Sequence, residues 1–415
     1  MKKEFVSITI KGITLLGKLL LMVSIAKYLS LDDMGIYALI VAAISYAKFL
    51  LGFEFSYFSQ RELLRSEKHN WVIMIRDQFV VFLFVYAIVL PLLLIIFYLH
   101  LIQWQYIVWF YVLLVLEHLN QEIFRLLVVL SKPVLANIVQ FLNGGFWAFI
   151  FTFLVFFWSG FRNLTTIWIL WFAGGLLSLT IGAFGFKNLQ WEIMKYSKTN
   201  WLWIKTGIKT ALPFLGIAMA LKAIEFADRF FIQYYNGESS VGIYFFFISI
   251  AGLPLTIIDA SIGITLGPQV IASYQKGKFH DYTLNYRKLV IGSVVLLTII
   301  GICLAMGIYF ILELTHKSQF KEFVSVYWLL LCLSGVTMFS NFVQLSMYVR
   351  NLDIILFLSI VIILIFSLLL NFSLIPKYGL QGAALSKIGA MFLLGAIRLF
   401  WLKIRENKSL KVRKM

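Results

Sequence analysis

Charge is what this 415-residue chain has least of: 13% of its residues are Asp, Glu, Lys or Arg, against 61% hydrophobic. Soluble domains carry roughly 25% charged residues. Together with a mean hydropathy of +0.91, that scarcity excludes a soluble globular protein. Cysteine is nearly missing as well. Cys303 and Cys332 are the only two, and both fall in apolar runs, which rules out a disulfide framework and leaves them expected as core residues. The five histidines show no metal-ligating spacing. The patterns GxxxxGK(S/T), HExxH, CxxC and GxSxG do not occur, so nucleotide hydrolysis, zinc proteolysis, thiol redox and acyl transfer have no motif to rest on. No catalysis, metal or resident cofactor is expected. No cleavable signal is expected: Met1-Lys2-Lys3-Glu4 runs directly into a long apolar segment, without a short h-region or small-residue cleavage site.

What the chain does have is a series of apolar runs and an excess of positive charge. A helix needs about 20 apolar residues to cross the hydrocarbon. That template predicts twelve spans, near 5–29, 34–58, 78–98, 105–129, 137–158, 166–186, 209–234, 241–265, 288–312, 322–346, 354–375 and 380–402. The formal charge of +17 would suit nucleic acid, but its distribution excludes that partner. With the N-terminus inside, the inner segments hold 23 lysines and arginines and the outer loops 4. This asymmetry places both termini in the cytoplasm.

Two halves are expected. Gly35-Ile36-Tyr37 recurs as Gly242-Ile243-Tyr244, 207 residues on, and each copy opens the second span of its half after a short polar loop. Repeats with an even number of spans enter the membrane in the same orientation. The expected fold is therefore an all-α integral membrane protein: about 12 transmembrane helices in two pseudo-symmetric six-helix lobes around a central cavity. Residues 1–190 form the first lobe and 209–403 the second. A cytoplasmic amphipathic linker with Trp191, Trp201 and Trp203 covers 191–208, read equally well as a simple tether, and a basic cytoplasmic tail covers 404–415.

Charges inside the spans are costly, each about 2.5–3.5 kcal/mol at a helix centre on insertion scales. Lys11 and Lys18, seven apart, return to within about 20° of one helix face. Lys11 and Lys27 reach an interface by snorkelling, whereas Lys18 lies near mid-span and is expected to face a wet cavity. Lys48 either faces that cavity or pairs with an acid on another helix. The fourth span carries Glu117, His118, Gln121, Glu122 and Arg125 on one polar face that cannot meet lipid. It is either a packed network or, at Glu117 and His118, a proton-handling site. The seventh span carries Lys222, Glu225, Asp228 and Arg229 on one arc, either a self-neutralised bridge chain or an anion anchor at Arg229. Asp259 is expected to neutralise a lysine in preference to binding a coupling cation. Lys387 and Arg398 are lesser candidates, and Arg398 is near enough to the inner surface to snorkel. Lys11, Lys18, Lys48, Arg125, Lys222 and Arg229 thus form the candidate cationic cargo site. Glu117, His118, Glu225, Asp228 and Asp259 are candidates for ion coupling or gating, with H+ or Na+ as the ion.

Several stretches resemble one family. Leu29-Ser30-Leu31-Asp32-Asp33-Met34-Gly35-Ile36-Tyr37-Ala38, Ala211-Leu212-Pro213-Phe214, Ala227-Asp228-Arg229, Val241-Gly242-Ile243-Tyr244 and Asn371-Phe372-Ser373-Leu374-Ile375-Pro376-Lys377-Tyr378-Gly379-Leu380-Gln381-Gly382-Ala383-Ala384 look, in order and spacing, like polysaccharide-biosynthesis (O-antigen repeat-unit) flippases. These belong to the multidrug/oligosaccharidyl-lipid/polysaccharide exporter superfamily. The resemblance implies two lobes around a V-shaped cavity, in the cytoplasmic (inner) membrane of a bacterium. It also implies flipping of undecaprenyl-diphosphate-linked oligosaccharide of O-antigen or capsule type to the outer leaflet. Partners implied are that polyprenyl-linked cargo, membrane lipid, and polymerase and chain-length proteins of the same pathway. Only Asp228-Arg229 carries over from the family by position. The alternatives are a drug or metabolite cation antiporter of the same superfamily, a lipid-II type flippase, and a membrane polysaccharide polymerase or ligase. The last would need a large outer loop, and the longest expected here has roughly nine residues.

Overall fold

The computed structural model describes the backbone of residues 2–413 and the side chains of 6–405, Tyr196 excepted. The described residues form helices and short connections, with no strand among them. The helices long enough to matter here are α1 (Lys2–Tyr28), α2 (Leu31–Gly52), α3 (Trp71–Leu92), α4 (Ile107–Val129), α5 (Pro133–Phe157) and α6 (Leu164–Ala183). They are followed by α7 (Trp201–Asn236), α8 (Glu238–Gln275), α9 (Phe279–Thr315), α10 (Val324–Tyr348) and α11 (Asp353–Arg413). The chain divides into two compact units, Met1–Phe226 and Ala227–Met415.

Among the described residues, ten helices are apolar and long enough to cross a membrane by length and composition. α4 has the length, 23 residues, but carries Glu117, Glu122 and Arg125. α11 holds two predicted spans in one run, broken at Gly379, whose φ of 54° and ψ of −130° are not helical. With α4 included and α11 divided, all twelve predicted spans are helical. The second ends earlier than expected. Phe53 and Glu54 both take positive φ, 49° and 48°, and turn the chain before the short helix Ser56–Arg65. The predicted basic tail lies, beyond Arg405, outside the described side chains.

In the first unit α6 and the turn that follows it, Phe184–Phe186, pack on α4 through small residues. A methyl group at Gly175, Gly182 or Gly185 would come within 2.4, 2.5 or 2.3 Å of Leu116, Ile123 or Leu127 respectively. Close backbone approach of this kind drives helix association where lipid is as apolar as the core. Ser30 and Asn163 cap α2 and α6, accepting from the backbone N–H of Asp33 and Thr166. In the second unit Phe246, Phe247, Phe320 and Tyr327 form a buried aromatic cluster. Cys303 and Cys332 are free and exposed, which corrects their expected place in the core. The outward faces of these helices are as apolar as the inward ones, so composition does not separate the two.

The turn inside α11 makes its own prediction. A Cβ at Gly382 would sit 2.2 Å from the carbonyl oxygen of Leu374, whereas at Gly389 it would meet only the flexible end of Leu370 at 3.2 Å. Gly382→Ala is expected to cost roughly 2 kcal/mol or more, since backbone must move. Gly389→Ala is expected to stay within about 1 kcal/mol, both read from thermal unfolding in detergent.

Candidate functional site

The first unit gathers most of the predicted charges, and α4 is the element that positions them. Its polar face meets protein, as its sequence requires. Glu117 Oε1 accepts hydrogen bonds from Asn143 Nδ2 at 3.0 Å and Trp171 Nε1 at 2.7 Å, and Oε2 lies 3.9 Å from the ammonium of Lys48. Four helices, α2, α4, α5 and α6, therefore converge on one carboxylate. Asn143 reaches it because α5 widens into a π-turn over Leu142–Phe146, a local bulge that re-aims a side chain. Trp171 is held in turn by stacking on Trp147, with ring centroids 5.9 Å apart.

The same π-turn seats Lys18. Gly17 of α1 approaches Gly145 so closely that a Cβ there would lie 2.8 Å from the Gly145 carbonyl oxygen. Gly144 faces the Lys18 stem, its absent Cβ 3.2 Å from Cε and 3.6 Å from Nζ. Lys18 is exposed, and no ion pair to it is formed among the described residues. Lys48 is repelled by Lys18, Lys222 and Arg125 and attracted by Glu117. Lys222 pairs with Glu225 at 2.5 Å and lies over the rings of Phe49 and Phe226. The first unit thus brings Lys18, Lys48 and Lys222 into one electrostatic neighbourhood.

Arg125, expected among the cargo cations, spends its donors on protein. It bonds Glu122 Oε1 at 2.8 Å and Ser56 Oγ at 2.6 Å, and both oxygens of Glu54 at 3.4 Å. Gln78 donates to the other oxygen of Glu122 at 2.8 Å. Glu54 and Glu122 are each 1% exposed. Two buried carboxylates therefore share one guanidinium, an arrangement one positive charge short of neutrality. His118, fully buried, meets the Tyr86 hydroxyl at 2.5 Å through Nδ1. Its Nε2 has no hydrogen-bond partner among the described residues.

The second unit holds a tighter arrangement. Asp228 Oδ2 accepts from Tyr244 OH at 2.7 Å and from Lys387 Nζ at 2.6 Å. Lys387 and Asp228 side chains are 8% and 2% exposed. The Tyr244 of the repeated tripeptide thus reads the Asp228 of α7, whereas its counterpart Tyr37 stacks on Trp168. Arg229 lies with its guanidinium carbon 4.9 Å from the Phe245 ring centre. Arg398 does not snorkel, which corrects that expectation: it is 1% exposed and donates to Gln344 and Ser359. Asp259 opens a second π-turn, Asp259–Gly263. It is exposed and forms no ion pair among the described residues, so the lysine it was expected to neutralise is not there. Lys11, half-buried in α1, likewise has no ion pair among the described residues.

Sequence reading passed over Asn143, Trp171, Gln78, Tyr86 and Ser56. Each is a polar group inside or beside an apolar run, and the signal that finds them is depth: a buried carboxylate in α4 requires donors at its own level on neighbouring helices.

No family model matches the sequence, and no curated protein matches it. Solved structures match in fold. The chain resembles the inward-facing conformation of a multidrug resistance MATE family transporter of the MOP superfamily. The TM-score is 0.76 at 12% identity, over 98% of this chain and 99% of that one. It also resembles an outward-facing conformation of such a transporter, with TM-score 0.63 and 13% identity over 98% and 95% of the chains. A MATE structure in a bent conformation matches at 0.59 and 12% identity, over 100% and 95%. These likenesses show an all-helical fold of the MATE type. The flippase branch has no representative among them.

Proposed function

We propose that this chain is a membrane carrier that works by alternating access, exporting small amphipathic molecules in exchange for an ion. Support for the carrier reading comes from a fold matched end to end by solved multidrug resistance transporters. That likeness favours a drug or metabolite antiporter over a flippase for lipid-linked oligosaccharide. Lysine chemistry sets the charge of the cargo. Lys18 is exposed and without an ion pair among the described residues, and Lys48 meets Glu117 only at 3.9 Å. Cations kept at membrane depth with so little compensation favour an anionic group on the cargo rather than a cation. The carboxylate in excess around Arg125 is the place this reading gives to a coupling proton or sodium ion. The excess of lysine and arginine in alternate loops supports a cytoplasmic side for both termini, and the family resemblance supports a bacterial cytoplasmic membrane.

A second reading is kept for one observation. The same lysines suit a diphosphate, so an undecaprenyl-diphosphate-linked repeat unit remains the alternative cargo, with pathway polymerase and chain-length proteins as partners. Proteoliposomes distinguish the two. The antiporter reading expects ion-gradient-driven flux of soluble anionic dyes. The flippase reading expects labelled polyprenyl-diphosphate oligosaccharide to change leaflet while soluble dyes stay put. Under either, Lys18→Gln with Lys48→Gln is expected to lower flux at sub-saturating cargo by about tenfold or more, since one charged contact of about 1.5–3 kcal/mol is lost at each site.

A further inference from the structure

The segment joining α6 to α7 is tied to α3 by side-chain hydrogen bonds. One guanidinium captures it. Arg76, in the first turns of α3, donates through Nη1 to the carbonyl oxygens of Ser197 at 2.6 Å and Met194 at 3.3 Å, and to the Ser197 hydroxyl at 2.9 Å. Nη2 donates to the carbonyl oxygen of Lys198 at 2.9 Å. Ser197 and Lys198 belong to chain with no helical ladder and Met194 to a single helical turn, so the partners of these carbonyls must come from elsewhere. Asp77 holds the guanidinium in place, its Oδ1 accepting from Nε at 2.9 Å and Nη2 at 2.7 Å. The other carboxylate oxygen accepts from the backbone N–H of Asn200 at 3.0 Å. Asn200 in turn caps α7, accepting from the N–H of Trp203 at 3.0 Å. The Asp77 side chain is 1% exposed and that of Arg76 16%, so the clasp is largely shielded from solvent.

We propose that Arg76 and Asp77 are a positioning pair that fixes the foot of α7 to the first unit. α7 runs 36 residues from Trp201 to Asn236 without a break and crosses the division between the units at 226/227. Its first turns are fixed a second time by Trp203 against Phe55 and Phe58, with Ile204 buried beside them. Pro213 lies further along and removes one backbone hydrogen bond, which marks the place where a bend costs least. A helix shared by two units transmits displacement only if its end is held. With the clasp closed, a change in one unit reaches the other through α7. With it open, the linker absorbs the change. This role rests on the carrier reading, but the clasp itself has a readout that needs no cargo.

Lys195 and Lys198 lie in the clasped segment and give trypsin a reporter. In reconstituted protein, Arg76→Gln is expected to raise cleavage after these lysines by about tenfold or more, the opening that follows loss of one charged hydrogen bond. Arg76→Lys is expected not to restore protection, because a single ammonium cannot serve three carbonyls and a carboxylate at once. A covalent clasp replaces the native one: with Cys303 and Cys332 changed to Ser, Arg76→Cys and Ser197→Cys are joined by a short bis-thiol reagent. Joining is expected to restore both protection and the flux lost in Arg76→Gln. Unchanged cleavage in Arg76→Gln would overturn the clasp. Lost protection with wild-type flux would overturn its role in transport and leave the carrier reading standing. Absence of flux in every variant, wild type included, would instead overturn the carrier reading, while cleavage still decides the clasp.

Discussion

Asp228→Ala is expected to destabilise the second unit by about 3–5 kcal/mol, the cost of leaving one member of a buried ion pair without its partner. Both members are nearly sealed from solvent, and the carboxylate also satisfies the hydroxyl of Tyr244. Removing it takes an acceptor from an ammonium and a phenol together. Asp228→Asn keeps the shape and one acceptor, so about half that loss is expected. Asp228→Ala with Lys387→Met removes both charges and is expected to recover most of the loss, because a buried pair replaced by apolar side chains of similar volume is often neutral. Thermal unfolding of these variants, wild type and Lys387→Met alone in one detergent measures the cycle. If the double variant were as unstable as the single one, the charge on Lys387 would not be the source of the cost.

The second large effect is an asymmetry around Arg125. Arg125→Ala leaves Glu54 and Glu122 facing each other, both 1% exposed, and is expected to cost about 3–5 kcal/mol. Glu54→Gln removes one of two carboxylates competing for a single guanidinium. Its contact is also the longer one, 3.4 Å against 2.8 Å for Glu122. The change is expected to be neutral within about 1 kcal/mol, or stabilising. Glu122→Gln breaks the shorter bond and disturbs the acceptor of Gln78, so it is expected to fall between them. The order, Arg125→Ala worst and Glu54→Gln mildest, is the readable quantity in an unfolding series. Equal losses for Glu54→Gln and Arg125→Ala would mean that the network carries no excess negative charge.

The fold was legible because membrane helices are written in hydropathy. Apolar length alone recovered all twelve segments, including α4 with its three charges and the two segments joined at Gly379. Helical spacing also recovered the pairs Glu122–Arg125 and Lys222–Glu225, which lie three residues apart. Contacts between helices were not legible. Nothing in the spacing joins Asp228 to Lys387, 159 residues away, or brings Asn143 and Trp171 to Glu117. The two π-turns were hidden for the same reason, since an extra residue in a helical turn leaves no mark on hydropathy. Arg398 was misjudged because its distance along the helix from the membrane surface was taken to set its exposure. Gln344 and Ser359 on neighbouring segments hold it inside instead.

Flux of matched cargo through proteoliposomes tests the central claim most directly. The panel holds size and hydrophobicity constant and varies charge from anionic through zwitterionic to cationic, with a polyprenyl-diphosphate oligosaccharide added as a lipid-borne anion. Wild-type protein is expected to give saturable flux favouring anions, and Lys18→Glu with Lys48→Glu to shift that preference toward cations by about tenfold or more. Flux that does not saturate, or a charge preference untouched by the reversal, would contradict a carrier whose cargo meets these two lysines.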